Sequence, residues 1–215
     1  MNTIIVADFD ETLIEQNTLI RVYRGLAGMP LVVSVILALF KGHWLRHGLR
    51  AAIKEEMYWR MLRGKSESEL TIAARKVARH VTLNEAVVSR IRRLSTQGND
   101  TQGNDIQGND TQGHDLIVAS AALAPIVRAV LQEKGVNFSR VVASEARVEV
   151  GKLTGYLIGG ECFGENKARR IRQLRDTSYP NARMIAFGNW PDDGPMLAEA
   201  DEAYIVTGNI IKTLE

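Results

Sequence analysis

Apolar residues fall along this chain in two rhythms. Compact runs of five or six residues occur at Thr3–Asp8, Asp115–Ser120, Arg140–Ser144, Ala182–Phe187 and Glu202–Val206. Runs of this length and composition predict strands covered on both faces. Longer stretches lie between them, notably Leu123–Lys134 and Lys167–Arg175, with apolar positions three and four apart. That spacing predicts helices. Alternating strands and helices imply a parallel sheet flanked by helices, an α/β fold of three layers and Rossmann-like build.

The stretch from Gln16 to Leu83 breaks the alternation. It is helical in pattern throughout and separates the first strand from the second, so it reads as an inserted helical cap. The expected division is a core of 1–15 and 84–215 with a cap of 16–83. Within the cap, Leu31–Phe40 is apolar at nine of ten positions. It is half the roughly 20 residues that cross a bilayer. A buried helix accounts for it, and an apolar surface for a partner, a membrane face or a greasy substrate is the alternative.

Residues 96–115 repeat a pentapeptide four times: Thr-Gln-Gly-Asn-Asp twice, then Ile-Gln-Gly-Asn-Asp and Thr-Gln-Gly-His-Asp. One copy alone would make an ordinary helix-to-strand connection. The repeat supplies too few apolar residues to stack into a core, so it reads as a tandem expansion inside a surface loop with no catalytic role.

Composition narrows the picture only in places. Hydrophobic residues make up 45% of the 215 and charged residues 24%, which excludes a disordered chain. The formal net charge of +2 gives no argument for nucleic acid. Cys162 is the sole cysteine, which excludes an internal disulfide and a cysteine zinc site and fits a reducing compartment. The N-terminus runs straight into the first strand, so no secretory leader and a cytoplasmic location are expected. Charge is uneven, however. Between Arg21 and Arg79 there are twelve Lys or Arg and four Glu, a local +8. A solvated helix surface explains most of these residues; attraction of anionic ligands or of anionic lipid is the sharper reading.

The candidate chemistry begins where the first strand ends. Asp8 and Asp10 stand two residues apart, with Thr12 two further on. The carboxyl ends of strands are where open α/β sheets bind ligands. If the chain stayed extended, both carboxylates would face one side. Two such acids repel unless a cation or a shared proton relieves them. The pair suits a Mg²⁺ site with a nucleophilic carboxylate beside a proton donor. A strand end leading into a capped turn is the bland alternative.

Three further segments follow in order. Ser120 closes the second strand, as a phosphate-binding hydroxyl or as the N-cap of the next helix. Val148 to Tyr156 reads as a hairpin with a Gly151-Lys152 turn, and Gly164-Glu165-Asn166-Lys167 opens a helix after it. Gly188-Asn189-Trp190-Pro191-Asp192-Asp193 then ends the Ala182–Phe187 strand, followed by Met196 and Leu197.

Asp8-Phe9-Asp10-Glu11-Thr12, Ser120, the hairpin with Lys167, and Gly188 to Asp193 together resemble the haloacid dehalogenase superfamily of phosphohydrolases, in particular its phosphoserine phosphatase-like branch. The resemblance implies that Asp8 is the nucleophile and Asp10 the acid–base group. Thr12, Ser120, Ala121 and Lys167 would bind the phosphoryl group. Asp8, Asp10 through its backbone carbonyl, Asn189 and Asp193 would hold Mg²⁺. Asn189 stands where the family places a metal-ligating Asp, which implies weaker metal binding or partial compensation by Asp192. Asn17 falls where phosphoserine phosphatases carry a Glu for the substrate amino group, with Glu15 nearby but out of register, so phosphoserine is not the expected substrate. The expectation is a Mg²⁺-dependent phosphomonoester hydrolase working through an aspartyl-phosphate on a small or lipid-linked phosphate, with no nucleic-acid partner and a peripheral membrane contact through the cap. The alternative is an impaired phosphate-binding or membrane-peripheral protein.

Overall fold

A computed structural model describes residues 2–28, 30–40, 48–97 and 114–214. The pentapeptide repeat therefore lies almost wholly outside the described residues, as does the segment after the apolar run. The elements in chain order are β1 (Thr3–Asp8), α1 (Thr18–Ala27), α2 (Leu31–Phe40), α3 (Leu49–Leu62), α4 (Glu67–Arg79), α5 (Glu85–Gln97), β2 (Asp115–Leu123), α6 (Ala124–Glu133), β3 (Arg140–Ser144), β4 (Ala146–Glu149), β5 (Lys152–Leu157), α7 (Gly164–Ser178), β6 (Arg183–Gly188), α8 (Gly194–Leu197), β7 (Glu202–Thr207) and β8 (Ile210–Thr213).

The main sheet has the order β3-β2-β1-β6-β7-β8, with β1 at its centre. Its first five strands are parallel, as expected. The edge strand β8 is antiparallel to β7 and was not foreseen in the sequence. Alternation along the strands explains the three layers. Ile5 and Ala7 of β1, Leu116 and Val118 of β2, and Ile185 and Phe187 of β6 all join one buried cluster. Their neighbours Ile4 and Val6, Ile117 and Ala119, and Met184 and Ala186 join another on the opposite face. Both faces of each strand are thus apolar, which is why these segments read as unbroken runs. Helices α4, α5 and α6 cover the first face, and α7 with α8 covers the second.

The inserted helices are not a detached lobe. Leu70, Ala74, Val77 and Ala78 of α4 share the first cluster with Val127, Val130 and Leu131 of α6. A capping box at Ser66 and Glu69 starts α4. The β4–β5 hairpin fastens α3 to the core: Gly64 N–H donates to the Leu153 carbonyl at 2.9 Å, and Leu153 N–H returns a bond to Lys65 at 2.8 Å. The hairpin turn sits one residue earlier than expected, on Val150 and Gly151, with φ of 49° and 71°. Two positive φ values are what a two-residue hairpin loop demands, and they suit Gly151 far better than the β-branched Val150.

Candidate active site

Strand β1 delivers Asp8 to the carboxyl edge of the sheet, beside the ends of β2 and β6. The chain does not stay extended beyond it. Leu13 N–H donates to the Asp8 carbonyl at 3.3 Å and Ile14 N–H to the Phe9 carbonyl at 3.1 Å. Glu11, with φ of 60°, makes the bend. This turn, rather than strand alternation, carries the Asp10 carboxylate into the same cavity as Asp8. Asp10 is then pinned to the start of the cap: its Oδ1 accepts from Thr18 N–H at 3.0 Å and its Oδ2 from the Thr18 hydroxyl at 3.3 Å. Asn17 caps α1 alongside, accepting from Leu19 N–H at 3.2 Å.

Lys167 joins the first and last motifs. From the first turn of α7 its Nζ donates to Asp8 Oδ1 and to Asp193 Oδ1, both at 2.6 Å. All three side chains are buried. Burial pulls the lysine down, but the two carboxylates outweigh it and hold the ammonium above its ordinary value. Burial lifts Asp8 to about 7, against the downward pull of Lys167. Burial likewise lifts Asp10 to about 6, against the two bonds from Thr18. A carboxyl that titrates near neutrality can both give and take a proton in water at neutral pH.

The β6–α8 loop places Asp193 by close contact. A Cβ on Gly188 would stand 2.7 Å from the Asp193 Cβ, so only glycine fits there. Asn189 N–H donates to Asp193 Oδ2 at 2.9 Å and its side chain reaches the cavity. Asp192 also lines the cavity, next to Asp193. Arg50 of α3 clasps both its oxygens, at 3.0 and 2.7 Å, and this pairing holds the Asp192 carboxyl below its usual range.

Asp8, Asp10, Asn17, Ser120, Ala121, Lys167, Asn189 and Asp193 all line one cavity of about 90 Å³. Thr12 does not line it. Its hydroxyl is fully buried and, among the described residues, is the one buried side-chain polar atom without a hydrogen-bond partner. Ser120 is not an N-cap either. Strand β2 runs on to Leu123 with a register shift after Ser120, and α6 starts at Ala124. The Ser120 hydroxyl instead accepts from Ala122 N–H at 3.0 Å, turning the backbone of this segment toward the cavity.

Sequence reading missed the residues that close the cavity from the cap. Arg50, Lys54 and Tyr58 lie four apart along one face of α3. Arg50 grips Asp192, Lys54 Nζ pairs with Glu161 at 2.7 Å, and the Tyr58 hydroxyl donates to the Ala121 carbonyl at 3.1 Å. Both cations also sit over the Phe163 ring, at 5.1 and 4.8 Å from its centre. The i, i+4, i+8 spacing was legible in the sequence; the partners were not, because they lie 63, 107 and 142 residues away.

The donor set determines which metal these residues could hold. No three His, Cys, Asp or Glu side chains converge as a ready cage among the described residues. The residues that the resemblance assigns to a metal, Asp8, Asp10, Asn189 and Asp193, all line the cavity and offer oxygen donors. One or two carboxylates, with remaining positions left to water and phosphate, is the usual Mg²⁺ arrangement, and a softer metal finds no ligand here.

Comparisons with known proteins agree with this construction. Residues 106–198 match the model of the haloacid dehalogenase-like hydrolases. No curated protein matches the sequence. Among solved structures, a protein of unknown function from Bordetella pertussis Tohama I superposes with a TM-score of 0.70 at 18% identity, over 94% of this chain and 89% of its own. A phosphoserine phosphatase in its apo form gives 0.61 at 20%, over 94% and 85%. A haloacid dehalogenase family hydrolase from Salmonella enterica serovar Typhi gives 0.62 at 16%, over 93% of this chain, which spans only 60% of that protein. Identities this low establish a shared fold. Residues 106–198 are thus similar to the haloacid dehalogenase-like hydrolases, and over the rest of the chain the likeness is one of fold.

Proposed function

We propose that this protein hydrolyses phosphate monoesters with Mg²⁺ and a covalent aspartyl-phosphate. The observation that carries the reading is the Asp8–Lys167–Asp193 cluster beside Asp10 in one small cavity. Lys167 fixes one Asp8 oxygen and leaves the other for attack on phosphorus, so that the P–O bond to the leaving alcohol breaks as the bond to Asp8 forms. Asp10, raised by burial and held by Thr18, gives its proton to the leaving oxygen. It then takes a proton from the water that splits the acyl-phosphate. Lys167 and the backbone around Ser120–Ala122 offset phosphoryl charge. Bound Mg²⁺, held by Asp8, Asp193, Asn189 and the Asp10 carbonyl, would supply further charge neutralisation.

The cavity of about 90 Å³ suits a phosphoryl group and little more. A wider cleft of about 830 Å³ shares Glu11, Arg50, Asn189 and Asp192 with it and leaves room for a larger leaving group, so both small and lipid-linked monoesters belong to the proposed class. Asn17 offers a substrate ammonium no charge, which argues against phosphoserine. Phosphate release from an aryl phosphate and a panel of metabolite phosphates, with and without Mg²⁺, tests the reading. Mg²⁺-dependent release that Asp8→Asn abolishes is the expected result. Equal turnover by Asp8→Asn would overturn the mechanism. Asn189 favours one other reading, a phosphate-binding protein without turnover; no release by wild type or by Asn189→Asp would establish that instead.

A further inference from the structure

Helix α2 leaves a stripe of large apolar side chains exposed. Of its ten residues, Ser34 and Ala38 are the buried ones, and the Ser34 hydroxyl is satisfied inside the cap by the Tyr23 hydroxyl at 2.7 Å. Four of its large apolar side chains face outward, Val32 at 57% exposed, Ile36 at 47%, Leu39 at 46% and Phe40 at 84%, while Leu31, Val33, Val35 and Leu37 are half-buried. These positions fall at i, i+4, i+7 and i+8, one continuous stripe on a helix. A helix in water does the opposite, so the stripe is shaped for an apolar environment.

Charge identifies that environment. From Thr18 to Lys54 the chain contains no Asp or Glu and six Lys or Arg, of which Arg50 and Lys54 are matched by Asp192 and Glu161 from the core. Arg21 and Arg24 on α1, just before the stripe, line a groove with Lys65, Lys76 and His80, where Glu69 pairs with Lys65 and is the one acid. An apolar stripe inside an acid-free, cationic segment complements a surface that is apolar within and anionic at its face. A second copy of this chain would bring the same cations against these and repel them. An anionic bilayer meets both requirements. Alone, α2 is too short to cross, since ten residues span about 15 Å, half the roughly 30 Å hydrocarbon layer, and α1 with α2 has the length only as a pair bent by 92°. No single described helix is long and apolar enough to cross a membrane.

We infer that α2 seats the cap on anionic lipid, with Val32, Ile36, Leu39 and Phe40 entering the interface and the flanking cations meeting the headgroups. The inference is independent of the proposed reaction. Co-sedimentation of the full chain with vesicles tests it, using phosphatidylcholine alone and an equimolar mixture with phosphatidylglycerol. Binding is expected to the mixture, to weaken with salt, and to be feeble on phosphatidylcholine alone. Ile36→Ser with Phe40→Ser should lower the partition coefficient by roughly tenfold per side chain. Arg21→Gln with Arg24→Gln should lower it about fivefold per cation. Unchanged thermal unfolding and unchanged turnover of a soluble aryl phosphate would show that the fold survives these changes. Absence of binding to the mixture, or binding indifferent to both variants, overturns the inference. A wild-type dimer by light scattering that Ile36→Ser with Phe40→Ser dissociates, without vesicle binding, also overturns it and makes the stripe a protein interface.

Discussion

Replacing Lys167 with Met tests the buried cluster most directly. Lys167 is 2% exposed and holds one oxygen each of Asp8 and Asp193 at 2.6 Å. Met keeps the apolar stem and removes the charge, which leaves two buried carboxylates facing each other. Stripping one partner from a buried ionic cluster costs about 3–5 kcal/mol. For a chain of this size each kcal/mol lowers Tm by about 2–4 °C, so a fall of roughly 6–20 °C is expected at pH 8 in EDTA. The loss must depend on pH. Native Asp8 already titrates at about 7 against an ordinary 3.8, and without Lys167 it titrates higher still. A carboxyl whose native value exceeds its unfolded value binds more protons when folded, so stability falls as pH rises between the two. The variant should therefore lie closer to wild type at pH 5 than at pH 8. Adding Asp193→Asn should restore part of the loss, because the amide oxygen can still accept from Asn189 N–H while the repulsion disappears. Thermal unfolding of the two variants and wild type at both pH values decides the matter. An equal loss at pH 5 and pH 8, or a double variant that loses the full sum of both changes, would refute the reasoning.

Gly188→Ala should push Asp193 aside by its Cβ, lowering kcat about a hundredfold while costing about 1–3 kcal/mol in chemical denaturation; wild-type turnover would mean that Asp193 has no fixed place in the reaction. Thr12→Val should raise stability by about 1 kcal/mol, since it removes a buried hydroxyl without a partner. Because Thr12 is off the cavity wall, its KM should stay unchanged, and a large rise in KM would return the hydroxyl to the phosphoryl site. Asn189→Asp should lower the Mg²⁺ concentration for half-maximal activity by roughly tenfold, because ligand charge sets affinity for hard cations; a metal titration of turnover checks it.

Where local rules dominate, the sequence was a good guide. Strands β1 and β3 lie where the apolar runs place them, because both faces are covered and no polar residue interrupts the run. Strand β8 escaped notice: four residues at a sheet edge, with mostly exposed side chains, leave no apolar signature. Ser120 looked like a helix cap because Ser before a helix usually is one, and only the register shift in β2 reveals that the helix starts later. Asp8 and Asp10 were rightly paired but through the wrong geometry, since a bend at Glu11 gives no clear signal in a residue that can also sit in a strand. Asp192 was legible as an acid beside Asp193, but its clasp by Arg50, 142 residues distant, was not. Nothing local distinguishes a free surface acid from one held across the fold.

The cap's cations constrain how the site can handle charge. Arg50 and Lys54 stand over the cavity, yet each is matched by a core acid, Asp192 or Glu161. They close the mouth without adding net charge to it. Inside, Asp8, Asp10 and Asp193 face one ammonium from Lys167. A phosphate dianion entering this cavity would meet an excess of negative charge, and like charges at contact distance in a buried site are costly. Protonated Asp10 relieves part of that excess, and a divalent cation can relieve the rest. Asn189 enters the balance here. An aspartate at that position would hold the metal more tightly but would add a further negative charge beside the dianion whenever the metal is absent. The amide reverses that exchange: it weakens the grip on the metal and lowers the repulsion that the substrate meets. On this reasoning metal and phosphate should bind more tightly together than either alone, and by a smaller factor than in Asn189→Asp, because the amide has already removed part of the repulsion that the metal would otherwise relieve.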